Sequence, residues 1–315
     1  MNTPHVHLLL NHVPTVGTII AVALLILSFI RKNDGLRRVS LELFCVIALV
    51  TLPAYLSGLG TALQFEQRPD VVKAIMDRHH DAAVFGSIFM VLTGGAAWLC
   101  LWQQRRLGRS KAGMIGTVLV LSVVTVAAMA RTANLGGEIR HPEILLDPDA
   151  AAAATAEVAP SFLSAAAIAK FVTGHTWVWP TMEAVHFIGL WLLFGVVVLV
   201  NLRMLGMMKS ASFAAVHRLL PWAVLGLGVN LTTGMMFVLG APGQYLENIA
   251  FFWKIGLLLL AGLDVLYLTV FDAPWAVGAG DEAPPLEKAM AASALVMWVG
   301  VMYFGRMLPF IGNAF

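Results

Sequence analysis

Eight apolar runs, each long enough to cross a lipid bilayer, constrain this chain more than any other feature. They lie near residues 8–30, 39–62, 81–104, 112–133, 181–204, 219–239, 251–271 and 289–309. About 20 apolar residues span the hydrocarbon as a helix. Lipid offers no partner to a backbone N–H or C=O, so such segments must bond internally. The expected fold class is therefore all-α: a polytopic integral membrane protein with eight transmembrane helices arranged as two four-helix bundles. Composition agrees, since 59% of the 315 residues are hydrophobic and only 12% are charged. That excludes a soluble globular enzyme, a disordered chain and a secreted disulfide scaffold. The first run lacks a basic leader and is too long for a signal core, so it reads as the first span.

Net charge is +2, which gives no general attraction to nucleic acid. The basic residues inform through their positions. Arg31, Lys32, Arg37 and Arg38 follow span one, Arg105, Arg106, Arg109 and Lys111 follow span three, and Arg203, Lys209 and Arg218 follow span five. The alternate loops are poorer in cations. The positive-inside rule then puts both termini outside. The expected location is a bacterial inner (cytoplasmic) membrane, multi-pass, with both termini periplasmic. The longest loop holds the run Asp149–Thr155 and an amphipathic stretch from Ser161 to Val172. Three segments follow: a four-helix membrane domain with the histidine cluster (1–145), an outer loop with an amphipathic helix (146–180), and a second four-helix membrane domain (181–315).

Eight of the nine histidines fall at or near the outer face on this topology; His217 lies in a basic inner loop and reads as solvated. His12 and His186 sit about four and five residues inside their spans, and His80 opens span three, so the three share one depth at ~1.5 Å per residue. An imidazole in hydrocarbon is costly unless bonded, which makes these residues functional candidates. His5, His7, His79 and His175 read as interfacial.

Two imidazoles on facing helices can ligate a b-type haem. His12, His80 and His186 are the iron-ligand candidates, and His141 joins them as a further cofactor-binding residue. Small residues at this depth, Ser57, Gly58, Gly60, Gly136 and Gly137, with Gly86 about two turns below His80, would clear room for a macrocycle. Arg131, Arg140 and Lys254 could pair with its propionates. One or two haems are expected. The two cysteines form no CxxC or CxxCH motif, so they supply no covalent haem attachment.

Glu183 and His186 form a Glu-x-x-His pair, repeated at Glu138 and His141. A di-iron site would need further glutamates at that depth, which the other spans lack. Copper remains open, because imidazole suits copper and iron alike. Glu183, Asn230 and Asp264 are candidates for a proton path or a quinone pocket. Asp264, near mid-span, is costly there unless bonded, and Asn201 with Arg203 could partner it.

The stretches His7-Leu-Leu-Leu-Asn-His12-Val-Pro14, His79-His80 and Thr132-Ala-Asn-Leu-Gly-Gly-Glu138-Ile-Arg-His141 resemble a bacterial four-helix membrane domain family of undefined function. Its histidines imply haem b. Met182-Glu183-Ala-Val-His186-Phe-Ile-Gly189, Leu199-Val-Asn201-Leu-Arg203-Met-Leu-Gly206, Arg218-Leu-Leu-Pro221-Trp222 and Thr233-Gly234 resemble a second uncharacterised four-helix family, which often carries Asp where Asn201 stands. The two resemblances imply a tandem fusion of redox-type modules, with His12, His80, His141 and His186 carried over as candidates.

The function these features favour is a membrane electron-transfer subunit. It would bind haem b near the outer face and exchange electrons between a quinone and a periplasmic redox partner, as part of a quinone-linked oxidoreductase complex. The alternatives are a non-catalytic anchor of a larger membrane complex and a metal-handling transporter. Against the transporter, the spans lack the paired Gly/Pro interruptions many carriers show.

Overall fold

The computed structural model describes residues 3–65, 73–141 and 164–311, with Arg140 described by its backbone alone. Eight helices are long and apolar enough to span a membrane, and no strand occurs among the described residues. The low-complexity run at Asp149–Thr155 and the stretch Ser161–Leu163 lie outside the described residues.

The first span is two helices in series, α1 (Thr3–Leu10) and α2 (His12–Ile30). The break at Asn11 has a cause in Pro14, which cannot donate to the carbonyl of Leu10 and whose ring crowds it. Next come α3 (Asp34–Phe65), α4 (Lys73–Leu107) and α5 (Ala112–Arg140). Asn33 starts α3 by accepting from the Leu36 N–H at 3.1 Å. Gly108, at a φ of +67°, ends α4 in the left-handed region that glycine tolerates. Helix α4 begins eight residues before its apolar run, so His79 and His80 stand well inside a helix rather than at its opening.

The chain forms two compact units. One comprises Met1–Ala97 with Ala112–Ile168, and the other Trp98–Lys111 with Ala169–Phe315. In the first unit α1 packs on α3, and α2 packs on α3 and α5. Small polar groups bridge the helices: Ser40 Oγ donates to the Ala21 carbonyl at 2.7 Å, and the Thr93 and Thr125 hydroxyls lie 2.8 Å apart. Such bonds contribute only about 0.6 kcal/mol each in a membrane. Close contact therefore matters more. At Gly94 the α3 and α4 backbones approach so nearly that an added Cβ would collide with Ala48. Cys45 and Cys100 are free and buried.

The last turns of α4 group with the second unit because their polar side chains bond there. The Trp98 indole donates to Thr269 Oγ1 at 3.0 Å and the Trp102 indole to the His217 carbonyl at 3.1 Å. Arg105 pairs with Asp272, and Arg106 donates to the Ala214 carbonyl at 2.6 Å. The unit's own helices are the later part of α6 (Ala165–Gly174), then α7 (Val178–Met204), α8 (Leu220–Gly240), α9 (Ile249–Val270) and α10 (Pro285–Met307). Helix α7 packs on α8 and α10, and α9 on α10. A Cβ on Gly189 would stand 2.7 Å from Asn230 Nδ2, which marks the closest part of the α7–α8 crossing.

His217 is not solvated. It is buried between the rings of Phe213 and Trp275, with centroids at 5.2 and 4.8 Å. Nor do Asn201 and Arg203 partner Asp264. Asn201 Nδ2 turns back on the Val197 carbonyl of its own helix at 2.8 Å. The Arg203 guanidinium is wholly buried and donates to the carbonyls of Ala211, Gly278 at 2.7 Å and Asp281 at 3.2 Å. It thereby clasps the loops that follow α7 and precede α10. Outside that clasp, Glu282 receives Lys209 and Lys288 together. Those two ammonium groups hold its carboxyl down to about 2 from an ordinary 4.5.

Two outcomes follow for purified protein in detergent. Arg203→Met strands buried carbonyls at about 1–3 kcal/mol per group, so its midpoint in thermal unfolding falls well below that of Lys209→Met. The Glu282 clasp is fully present above pH 4.5 and lost as pH falls toward 2, because the folded carboxyl keeps its charge where the unfolded one does not. Glu282→Gln flattens that part of the midpoint-against-pH curve.

Candidate functional site: two backbone-anchored histidines

At one end of the first unit the start of α1, the end of α3, the start of α4 and the end of α5 come together. His7, on α1, has Nδ1 3.0 Å from the Ala54 carbonyl of α3. His79, on α4, has Nδ1 2.9 Å from the Thr132 carbonyl of α5. A carbonyl oxygen only accepts, so each Nδ1 carries the hydrogen and each Nε2 keeps its lone pair. No hydrogen bond among the described residues engages either Nε2.

The same local device builds both contacts. In a helix, the residue four positions on stands over a given carbonyl, and here that residue is Gly58 for Ala54 and Gly136 for Thr132. A Cβ at Gly58 would lie 2.8 Å from His7 Cε1, and one at Gly136 would lie 3.1 Å from His79 Cε1. The missing side chains let each imidazole reach the backbone. His7, His79 and His80 all bond within this end of the unit, to Ala54, Thr132 and Tyr55. The cluster thus presents two imidazoles that keep a lone pair on Nε2, each oriented by a backbone carbonyl.

His80 is engaged differently. Its Nε2 lies 2.8 Å from the hydroxyl of buried Tyr55, whose ring centroid is 5.9 Å away. Asp81 beside it accepts from the Ala165 N–H at 2.8 Å and so fixes the start of α6. His12 is exposed, at the lip of an apolar groove of about 430 Å³ lined by Val13, Val16, Ile20, Leu43 and Ile47. Arg131 is exposed on α5, one residue before Thr132. His141 follows α5 directly and is exposed, while the Arg140 side chain lies outside the described residues. Glu138 accepts from Asn134 Nδ2 at 2.8 Å.

The remaining candidates belong to the second unit. His186 bonds Thr233 at 2.8 Å, and exposed Glu183 accepts from the Trp179 indole at 3.3 Å. Asn230 Nδ2 donates to the Gly226 carbonyl at 2.8 Å while its Oδ1 is buried without a partner. Asp264 is buried, with Oδ2 unpartnered. Among the described residues no group of three or more His, Cys, Asp or Glu is placed to hold a metal ion by side chains alone. A haem asks for less, since its porphyrin supplies four of the iron's ligands and the protein adds axial ones.

Span depth alone points to His12, His80 and His186 and leaves His7 and His79 as interfacial, whereas His7 and His79 are the pair anchored on backbone carbonyls of neighbouring helices. The glycines at 58 and 136 were visible as small residues at the right depth. Which carbonyl each uncovers depends on which helix faces it.

Residues 3–141, less than half of the chain, match a family described as a predicted membrane protein (DUF2231). The match covers the whole His7–His79 site. No curated protein and no solved structure matches the chain.

Tyr55→Phe removes the hydroxyl that holds His80 Nε2, which costs about 1 kcal/mol. In detergent its unfolding midpoint falls modestly, and mapping of diethyl pyrocarbonate adducts shows His80 becoming the newly reactive histidine.

Proposed function

We propose that this chain is a b-type haem-carrying electron-transfer subunit of the inner membrane, with His7 and His79 as the residues that would hold the haem iron. The observation that carries the reading is the matched pair of imidazoles, each with Nδ1–H on a helix carbonyl and Nε2 free. Structural histidines need only one satisfied nitrogen. Two that expose the same ligating nitrogen at one end of one bundle are better explained by a shared metal centre. The lack of a third protein ligand among the described residues favours haem over a bare copper ion.

Bound haem would supply a one-electron carrier. The chain's own groups do the rest. The carbonyls of Ala54 and Thr132 fix the ring planes and raise the basicity of Nε2. Gly58 and Gly136 admit the rings. Exposed Arg131, one position before Thr132, would pair with a propionate. Tyr55 holds His80 away from competition for iron. The cation-rich loops after spans one, three and five support a histidine end that faces the periplasm, where a redox partner protein would meet it.

The test is a reduced-minus-oxidised visible spectrum of protein produced with ample haem, with haem extraction from the same sample. A b-type spectrum at about one haem per chain is expected. His7→Ala and His79→Ala each abolish it, Gly58→Ala lowers haem content, and His12→Ala retains it. A featureless wild-type spectrum, or one untouched by both ligand substitutions, overturns the reading.

A further inference from the structure

Where the start of α9 meets the end of α10, Trp253 stacks on Phe304, with ring centroids 6.1 Å apart and the planes 18° from parallel. One residue on from each, Lys254 meets Gly305. Its Cδ, Cε and Nζ stand 3.6, 3.5 and 3.4 Å from the place a Cβ would take there. Three successive atoms at nearly one distance mean that the stem lies flat across α10, in the space the glycine leaves. Arg306 is exposed and begins about 3.8 Å from Gly305, the spacing of consecutive Cα atoms. A phosphate held on the Lys254 ammonium is thus within reach of the Arg306 side chain. Among the described residues neither cation makes a hydrogen bond or ion pair. Lys254 stands five residues inside α9, about 7.5 Å from its start.

An ammonium inside a span without an anion is costly and by default marks a function. The surroundings indicate which anion fits. Trp253 precedes Lys254 and Tyr303 lies three residues before Arg306; both are exposed, and such side chains collect where hydrocarbon meets head groups. Beyond them lies a recess. Gly256 falls between exposed Trp253 and Leu260 on α9, and a Cβ added to it would meet nothing within 4 Å. Trp253, Gly256, Leu260 and Leu263 recur at helical spacing, so an exposed apolar strip runs from the cations toward mid-span. A soluble anion would meet the cations and leave the strip unused. A phospholipid meets both. Two protein cations also favour a head group of net negative charge, because a choline or ethanolamine would bring a third cation to the same place.

We propose that Lys254 and Arg306 hold the phosphate of an anionic phospholipid of the phosphatidylglycerol type, with one acyl chain lying over Gly256 between Trp253 and Leu260. Gly305 gives the lysine stem its place, and the Trp253–Phe304 stack fixes the two helices there. The site belongs to the second unit, stands apart from the haem reading and does not need it.

The experiment is native mass spectrometry of the full-length protein in detergent, titrated with dioleoyl phosphatidylglycerol and, in parallel, with dioleoyl phosphatidylcholine and with inorganic phosphate. One phosphatidylglycerol per chain is expected to bind at least about tenfold more tightly than phosphatidylcholine. Inorganic phosphate, which has no acyl chain, binds far more weakly than either lipid. Lys254→Gln removes the preference between the lipids, whereas Lys254→Arg keeps it. Lys111→Gln, a cation lost from an exposed loop, also keeps it. Gly256→Leu fills the recess and weakens both lipids. The proposal is overturned if phosphatidylcholine binds wild type as tightly as phosphatidylglycerol, if phosphate alone binds as tightly, or if Lys254→Gln lowers the preference no more than Lys111→Gln. The lipids are compared on wild type, so that comparison decides even where a variant fails to fold.

Discussion

Hydrocarbon offers no hydrogen bonds, so the backbone and most polar side chains in these spans take their partners from the protein itself. That constraint governs the large features and the small ones alike. It makes the long apolar runs helical. It turns Thr18, Ser28, Thr51, Thr93 and Thr125, all buried, back onto carbonyls of their own helices. It also turns His7 and His79 toward the backbone carbonyls that Gly58 and Gly136 leave uncovered. A histidine anchored in this way has a fixed tautomer, and its second nitrogen is committed to the lone-pair form before any ligand arrives.

The spans were legible because their cause is local. Length and apolar content decide them, and all eight stand within a few residues of the runs read from composition, apart from polar extensions such as Lys73–His80. Pro14 and the interruption it makes at Asn11 are local too. The site was legible in part. A one-sided cluster of histidines with small residues at the same depth can be read along the chain, and Gly58 and Gly136 stand out in it. Choosing His7 and His79 over His12 and His80 requires the rotation of α1, α2 and α4 about their axes. An error of two or three residues in depth turns a helix face through most of a circle. His12 lies five residues after His7, and the break at Asn11 intervenes.

Arg203 and Asp264 show the same limit in another form. Arg203 lies in the last turn of α7 and Asp264 within α9, and their opposite charges suggest a pair. Arg203 instead satisfies three loop carbonyls, an acceptor set that no charge pattern along the sequence announces. Asp264 is left with a buried, unpartnered oxygen in α9. Backbone acceptors are present at every position, so only the folded geometry tells which of them a buried donor takes.

The anchored histidines differ in what holds them. His7 and His79 meet backbone carbonyls, which only accept, so both rings carry their hydrogen on Nδ1 and keep the Nε2 lone pair. His186 meets the Thr233 hydroxyl, which has one hydrogen and two acceptors in reach, the imidazole and the Val229 carbonyl. An anchor fixes the free nitrogen of a histidine only where the partner cannot donate, and in these spans that partner is a backbone carbonyl left uncovered by a glycine.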